Sequence, residues 1–132
     1  MLLKLLESEI EIAKGHLQVG FTLMSQAPQY SWARFYWPAL ESRAYIALAA
    51  NHPEEAIKFC NEMRVKKGFA FAWDRPDDWA MSHYYLAQAY DKLGKKDLAL
   101  SFYMEFENLW RDGEAELHTL KDTRNRIAEL RR

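Results

Sequence analysis

The stretch SHYYLAQAYDKLGKKDLALSFYMEF, residues 82–106, decides the fold that this sequence predicts. Apolar side chains recur in it at the three- and four-residue spacing of a helix. The first stripe contains Leu86, Ala87, Tyr90 and Leu93. The second contains Leu98, Ala99, Phe102, Tyr103 and Phe106 and continues beyond the quoted stretch to Leu109. Between the stripes, Gly94 can take the left-handed backbone conformation that ends a helix. Two helices joined by so short a turn pack side by side, so the stretch predicts an antiparallel helix pair.

A second helix pair is predicted upstream, in ESRAYIALAANHPEEAIKFCNEM, residues 41–63. Ala44 lies on the apolar stripe of its first helix, and the turn falls at Asn51. Pro53 then occupies a first helical position, where its missing N–H costs nothing. Two glutamates follow it in the first turn, where negative charge is favourable.

The helix pair predicted over residues 82–106 resembles a tetratricopeptide repeat. The positions that carry the resemblance are Leu86 and Ala87 as the large and small pair, Tyr90 as the aromatic, Gly94 at the turn, Ala99 at the helix contact and Tyr103 as the following aromatic. A second copy has Ala56 at the contact, Ala44 at the small position and Asn51 at the turn. A third copy has Gly20 at the contact and Gly15 at the turn. The resemblance implies an all-α stack of about three antiparallel helix hairpins, an α-solenoid.

The spacing of the contact residues gives the predicted domain organisation. From Gly20 to Ala56 is 36 residues, close to the ~34 of the family repeat, whereas Ala56 to Ala99 is 43 residues. The extra length is assigned to an insert at 66–77, between repeats at about 1–31, 37–66 and 78–111. A further apolar stripe predicts a C-terminal capping helix over about 114–131, and it contains Leu117, Leu120, Ile127 and Leu130. We therefore expect a single domain over 1–132.

The insert contains an alternating aromatic run, Phe69, Phe71 and Trp73. A strand at this place would have no partner to pair with, so we expect a loop between two helix pairs. Two interpretations of the aromatic side chains remain open. They pack beneath the neighbouring helices, or they form an exposed ligand platform.

Composition and charge narrow the class of function. Of the 132 residues, 49% are hydrophobic, which predicts a real core. Lys and Arg number 18 and Asp and Glu 19, so the charge gives no attraction to nucleic acid or to an acidic membrane surface. No stretch approaches the ~20 apolar residues of a membrane span. With Cys60 as the single cysteine, we expect a cytoplasmic segment, which can belong to a larger and membrane-attached protein.

No pattern of residues predicts catalysis. The four histidines are far apart and lack partners at metal-ligand spacing, so we expect neither a metal site nor a cofactor. His16 and His52 follow equivalent turns and are interpreted as helix-capping or solvent-exposed. Cys60 lies on an apolar stripe without a basic neighbour and is interpreted as a small core residue. The prediction is a protein that is not an enzyme.

Binding is the remaining function, and stacked helix pairs bind on the concave side, which the first helix of each pair lines. The predicted face contains Leu5, Glu9, Ile12, Glu41, Tyr45, Leu48, Met81, Tyr84, Gln88 and Lys92. Its tyrosines and polar groups suit a protein partner, as a short peptide or a neighbouring domain. Members of the family that grip a chaperone's C-terminal carboxylate use Lys, Arg and Asn in this groove. The corresponding positions here are Leu5, Glu9, Ser42, Met81 and Tyr85, so that activity is not implied.

Two other functions stay open. A small-ligand sensor would use the aromatic insert, residues 69–79, as a pocket wall. Single-stranded nucleic acid could stack on the same aromatics, but it needs a basic groove that Lys66, Lys67 and Arg75 barely supply. We therefore expect no nucleic acid partner and no membrane contact in this segment.

The first helix has apolar residues on nearly every side, Leu2, Leu3, Leu5 and Leu6. An N-terminal repeat has no predecessor to cover one of these faces. Either the chain is part of a longer regulator, or it forms a homodimer through this edge, or Leu2 and Leu3 fray. The first alternative agrees with residues 79–130, which are similar to the C-terminal repeat region of bacterial signalling proteins such as eukaryotic-like serine/threonine kinases, winged-helix regulators and adenylate cyclases.

Overall fold

The computed structural model describes residues 3–28, 33–65, 76–110 and 118–132, with side chains from residue 39 in the second range and from residue 79 in the third. These ranges contain seven helices and no strand. The helices are α1 (Leu3–Ala13), α2 (Leu17–Gln26), α3 (Ala33–Ala49), α4 (Pro53–Val65), α5 (Pro76–Lys92), α6 (Lys96–Leu109) and α7 (His118–Leu130). The predicted all-α class is confirmed for these residues. Among them, no helix is both long and apolar enough to cross a membrane.

Three connections between helices share one backbone geometry. Gly15, Asn51 and Gly94 have φ of 85°, 62° and 74°, the left-handed region that glycine and asparagine tolerate best. In each turn this residue's N–H bonds the carbonyl three residues earlier, and the next N–H bonds the carbonyl five residues earlier. That pair of bonds is the Schellman motif, which satisfies the last carbonyls of a helix. The three turns therefore end α1, α3 and α5 in the same way.

A small residue follows each of these turns at the same distance. Gly20, Ala56 and Ala99 are buried, and each bonds its N–H to the carbonyl four residues earlier. At Gly20 the approach is closest, because a Cβ there would lie 2.8 Å from Ile12 Cδ1 and 2.9 Å from the Ser8 carbonyl oxygen. The buried hydroxyl of Ser8 donates a hydrogen bond to the Gly20 carbonyl at 2.5 Å, which satisfies a polar group inside α1. Glycine is thus required where α1 meets α2.

We expect Gly20→Val to lower the free energy of unfolding by about 2 kcal/mol, since overpacking outweighs the small gain in helix propensity. Ile12 can rotate away, but the backbone carbonyl of Ser8 can move only with α1. Urea denaturation measures the loss. The control is Thr22→Val, on the exposed side of the same helix. Equal stability of the two variants would show that α1 and α2 do not approach as described.

Each helix packs against its neighbours in the chain, and α1, α3 and α5 also contact one another in series. One core lies between α1, α2 and α3 and the other extends from α3 to α7. Small residues are fully buried where the helices meet, among them Ala44, Ala47, Ala56, Ala87 and Ala99. From α7, Leu120 and Ile127 are buried, while Leu130 is half-buried.

The burial of α6 corrects the predicted stripe. Leu98 and Leu109 are each 45% exposed, whereas Ala99, Tyr103 and Phe106 are buried at the spacing i, i+4 and i+7. The buried stripe of α6 is therefore narrower than the predicted one. The aromatic run of the insert, together with Leu2 and Leu117, lies outside the described residues.

Candidate functional site

The helices α1, α3 and α5 meet at a depression of about 280 Å³, called here the first depression. Its lining residues are Glu9 from α1, Glu41, Ser42 and Tyr45 from α3, and Tyr85 from α5. Glu9, Glu41 and Tyr45 belong to the face predicted from the sequence, and the structure places them together. Tyr45 is 43% exposed, so its ring is available to a partner.

Hydrogen bonds fix the carboxylates of the first depression. Ser42 Oγ donates to Glu9 Oε1, which ties α3 to α1. Tyr85 donates its phenol O–H to Glu41 Oε1 at 3.4 Å. Burial, with the nearby Glu41 carboxylate, raises the pKa of Tyr85 well above its usual value. The phenol therefore stays protonated and remains a donor at physiological pH.

A second depression of about 370 Å³ lies on the other side of α5, between this helix and α7. Its lining residues are Tyr84, Gln88, Tyr103, Asp122, Asn125, Arg126 and Glu129. The Gln88 side-chain amide donates to the Tyr84 hydroxyl at 3.0 Å, and the rings of Tyr84 and Tyr85 lie 5.9 Å apart. The two tyrosines connect the depressions across α5. The four α7 residues Asp122, Asn125, Arg126 and Glu129 were missed at the sequence level.

An ion pair fastens α7 to α5 beside the second depression. Arg126 Nε and Nη2 donate to the two oxygens of Asp91 at 2.6 and 2.8 Å, and Arg126 Nη1 donates to Glu129 at 2.6 Å. This bidentate geometry holds the pKa of Asp91 below its usual value. Tyr103 donates a longer hydrogen bond of 3.4 Å to the same carboxylate.

Burial removes several predicted residues from the accessible face. Leu5, Ile12 and Leu48 are 3%, 7% and 5% exposed and pack in the cores, so their assignment to the binding face is corrected. Tyr84 is 8% exposed and borders the second depression while packing against Phe106.

The remaining predicted residues are accessible but lie apart from the depressions. Met81 is half-buried and Lys92 is exposed, and neither lines the first or the second depression. At the N-terminal edge, Leu3 and Leu6 are 62% and 55% exposed. Leu5 points into the core, so it does not belong to that edge.

Of the two interpretations of His16 and His52, as helix-capping or solvent-exposed, the exposed one holds for His16. His16 is exposed and makes no side-chain capping bond, and its Nδ1 lies 2.6 Å from Glu11. His52 is half-buried and stacks on Phe21, with ring centroids 3.8 Å apart.

Cys60 is buried, as predicted, and burial raises the pKa of its thiol. Arg64, four residues later on α4, opposes this rise in pKa, so the expectation that Cys60 has no basic neighbour was wrong. Among the described side chains, no group of three or more His, Cys, Asp or Glu is placed to hold a metal ion.

His83 is a buried histidine among α4, α5 and α6. Its two ring nitrogens face two acceptors, with Nδ1 3.1 Å from the Trp79 carbonyl and Nε2 3.2 Å from Glu105 Oε2, so the neutral ring can donate a hydrogen bond to only one of them. Burial lowers the pKa of His83, and Arg64 adds to this effect, while the Trp79 carbonyl and Glu105 oppose it. At neutral pH the imidazole is therefore uncharged.

Because its pKa is lower in the folded state than in the unfolded chain, His83 should make stability depend on pH. As the pH is lowered, the unfolded chain binds the proton before the folded protein does. The folded protein therefore keeps its full stability above about pH 6.5 and loses part of it as the pH falls below that value. Urea denaturation between pH 7.5 and 5.5 should show a steeper loss for the wild type than for His83→Gln. His118→Gln, a change at an exposed histidine, is the control and should behave as wild type. Parallel pH profiles for wild type and His83→Gln would contradict the assignment.

Comparison with protein-family models, with curated proteins and with solved structures found no match to this chain.

Proposed function

We propose that this chain is a tetratricopeptide-like interaction module that binds a protein segment on the face formed by α1, α3 and α5, without catalysis. The observation that carries the proposal is the repeated turn. Gly15, Asn51 and Gly94 share one conformation and one pair of hydrogen bonds, and a buried small residue follows each at the same spacing. Three equivalent units in one chain are the mark of a stacked repeat.

The contacts between helices support the stacking. The first helices α1, α3 and α5 touch in series, and α4 contacts α5, as expected when one helix pair packs on the next. In this arrangement α7 takes the place that the first helix of a following pair would occupy. It buries Leu120 and Ile127 and is tied to α5 by the Asp91–Arg126 pair. The proposed role of α7 is to seal the last pair.

The two depressions supply the binding surface. They lie on either side of α5 and present hydrogen-bonding groups on tyrosine, serine, glutamine and carboxylate side chains. Tyrosine gives a large contact area at low entropic cost, which makes it frequent where proteins bind peptides. The further proposal that the module serves a bacterial regulatory protein rests on the sequence resemblance of residues 79–130 alone.

Random-peptide display on the immobilised chain tests the proposal. The enriched peptides are then titrated against wild type, against Tyr45→Ala/Gln88→Ala and against Met104→Ala. Met104 is 41% exposed on α6 and lines neither depression, so it serves as the control. We expect the double change to weaken binding at least about tenfold, roughly 1.4 kcal/mol, and the control to leave it unchanged. The proposed function would be contradicted if display enriched no peptide, or if the enriched peptides bound the double variant as tightly as the wild type.

A further inference from the structure

The helices α1, α3 and α5 each carry a stripe of three side chains at fixed distances before the left-handed turn residue. This set is called here the stacking stripe. The turn residues Gly15, Asn51 and Gly94 locate it. The stripe consists of Leu3, Leu6 and Ile10 in α1, of Ala39, Ser42 and Ile46 in α3, and of Ser82, Tyr85 and Ala89 in α5.

In α3 and α5 the stacking stripe packs against the helix pair that comes before. Ala39 and Ile46 are buried in the core that lies between α1, α2 and α3. Tyr85 and Ala89 are buried in the larger core, and α5 contacts both α3 and α4. Ser82 is also fully buried. Each of these two helices thus covers its stripe with the preceding pair.

A stripe of the same spacing is buried in α7. Leu120, Thr123 and Ile127 are separated by three and four residues, as in the stacking stripe, and all three are buried. Ile127 packs in the same core as Tyr103 and Phe106 of α6. The side of the third pair that would receive another stripe is therefore occupied by α7.

In α1 the stacking stripe is exposed, although it is the most apolar of the set. Ile10 is 45% exposed, and Leu3 and Leu6 are exposed to a greater extent. Ala13, three residues after Ile10, is exposed as well. A contiguous apolar patch on a surface marks an interaction site. The stripe of α1 continues the series of interfaces that the chain forms between its own helix pairs.

We infer that the stacking stripe of α1 is covered by α1 of a second copy of this chain, in an antiparallel pair about a two-fold axis. Within the described residues, the sides of the helix pairs that receive a stripe are already covered by α3, α5 and α7. Head-to-tail stacking of two copies is thereby blocked, and the stripe of α1 is left to meet its own equivalent. A surface that pairs with itself gives a closed dimer. The inference rests on the repeated helix pairs of the proposed function and adds a second interface.

The residue spacing on α1 favours the antiparallel arrangement. Leu3, Leu6, Ile10 and Ala13 follow steps of three and four residues, the apolar seam by which two helices pack. In an antiparallel pair Leu6 lies opposite Ile10, and Leu3 lies opposite the small Ala13. A parallel pair would set Ala13 against Ala13 and leave a gap, which close packing disfavours. Antiparallel helices also bring opposite ends of their dipoles together.

The test is the solution mass of the full chain, measured by light scattering over a wide range of concentrations. The mass of the wild type should rise from that of one chain to that of two. Leu6→Glu/Ile10→Glu places carboxylates in the apolar interface and should weaken the dimer at least about tenfold. The matched control is Leu98→Glu/Leu109→Glu, which adds the same charge at exposed leucines of α6 and should leave the dimer unchanged. Urea denaturation verifies that both variants remain folded.

Disulfide trapping tests the direction of the two helices. Leu6→Cys and Ile10→Cys are mixed in equal amounts and oxidised, while the native Cys60 is buried and does not compete. The antiparallel pair predicts that disulfides between the two different variants exceed those between identical ones. An excess of disulfides between identical variants would contradict the antiparallel arrangement.

Several masses would overturn the inference. These are a single chain at every concentration, a dimer indifferent to Leu6→Glu/Ile10→Glu, an equal loss in the control, and a mass that rises beyond two chains. If the wild type is monomeric while display still yields peptides that need Tyr45, the inference fails and the proposed function stands. If the dimer forms as expected and display yields nothing, the inference stands and the proposed binding function fails.

Discussion

Phe106→Ala should lower the free energy of unfolding by about 3–5 kcal/mol, among the largest effects of any single change in the chain. Phe106 is fully buried on α6, and its ring lies 5.3 Å from Tyr84 and 6.0 Å from Trp110. Truncation removes apolar contacts and leaves a cavity that rigid helices fill poorly. Urea denaturation followed by circular dichroism measures the loss.

Leu109→Ala provides the matched control on the same helix. Leu109 is 45% exposed, so its truncation should cost no more than about 0.5 kcal/mol. Similar losses at the two positions would mean that α6 is rotated about its axis relative to the description above. The pair therefore measures which side of α6 faces the core.

Arg43→Met should lower the free energy of unfolding by about 3–4 kcal/mol through lost hydrogen bonds to three carbonyls at the end of α2. Arg43 is 8% exposed on α3, and its guanidinium donates to the carbonyls of Met24, Ala27 and Pro28 at 3.0 to 3.1 Å. These carbonyls end α2, where intrahelical partners run out and positive charge is favoured. Methionine keeps the length of the side chain but leaves the acceptors without this donor.

Two variants control for the loss of charge at Arg43. Arg43→Lys keeps the charge but lacks the fork that reaches several carbonyls, so an intermediate loss is expected. Arg131→Met removes an exposed positive charge near the C-terminus and should leave stability nearly unchanged. Hydrogen exchange should quicken in the last turn of α2 for Arg43→Met. A stability equal to that of Arg131→Met would refute the capping role.

The turns could be predicted from sequence because their requirement is local. A left-handed backbone favours glycine or asparagine, and Gly15, Asn51 and Gly94 occupy the three positions. The small contact residues Gly20, Ala56 and Ala99 could be predicted equally well, because each follows its turn residue at the same spacing. Local rules of this kind indicated the helix pairs and the residues where the two helices touch.

The exposed side of α6 could not be read in the same way. Helical spacing gave a broad stripe that included Leu98 and Leu109, and the part of it that is buried depends on where α5 and α7 contact the helix. The same limit misplaced Leu48, which packs in the core rather than on the binding face. Periodicity gives the stripe, but neighbouring helices decide its edges.

Arg43 and Arg126 were missed because their partners are distant in sequence. Arg43 bonds carbonyls of another helix, and Arg126 reaches Asp91, 35 residues away. Nothing in the local pattern marks either arginine, since both lie in amphipathic helices where exposed basic residues are common. The second depression was not predicted for this reason, because four of its seven lining residues come from α7.

Hydrogen exchange of the intact chain, with and without a peptide selected by display, tests the central claim most directly, since it locates the bound segment on the fold. The account predicts added protection in α1, α3, α5 and α7, strongest near Glu9, Glu41 and Tyr45, with α2 and α4 unchanged. Protection confined to α2, α4 or α6 would place binding on the opposite face and contradict the account.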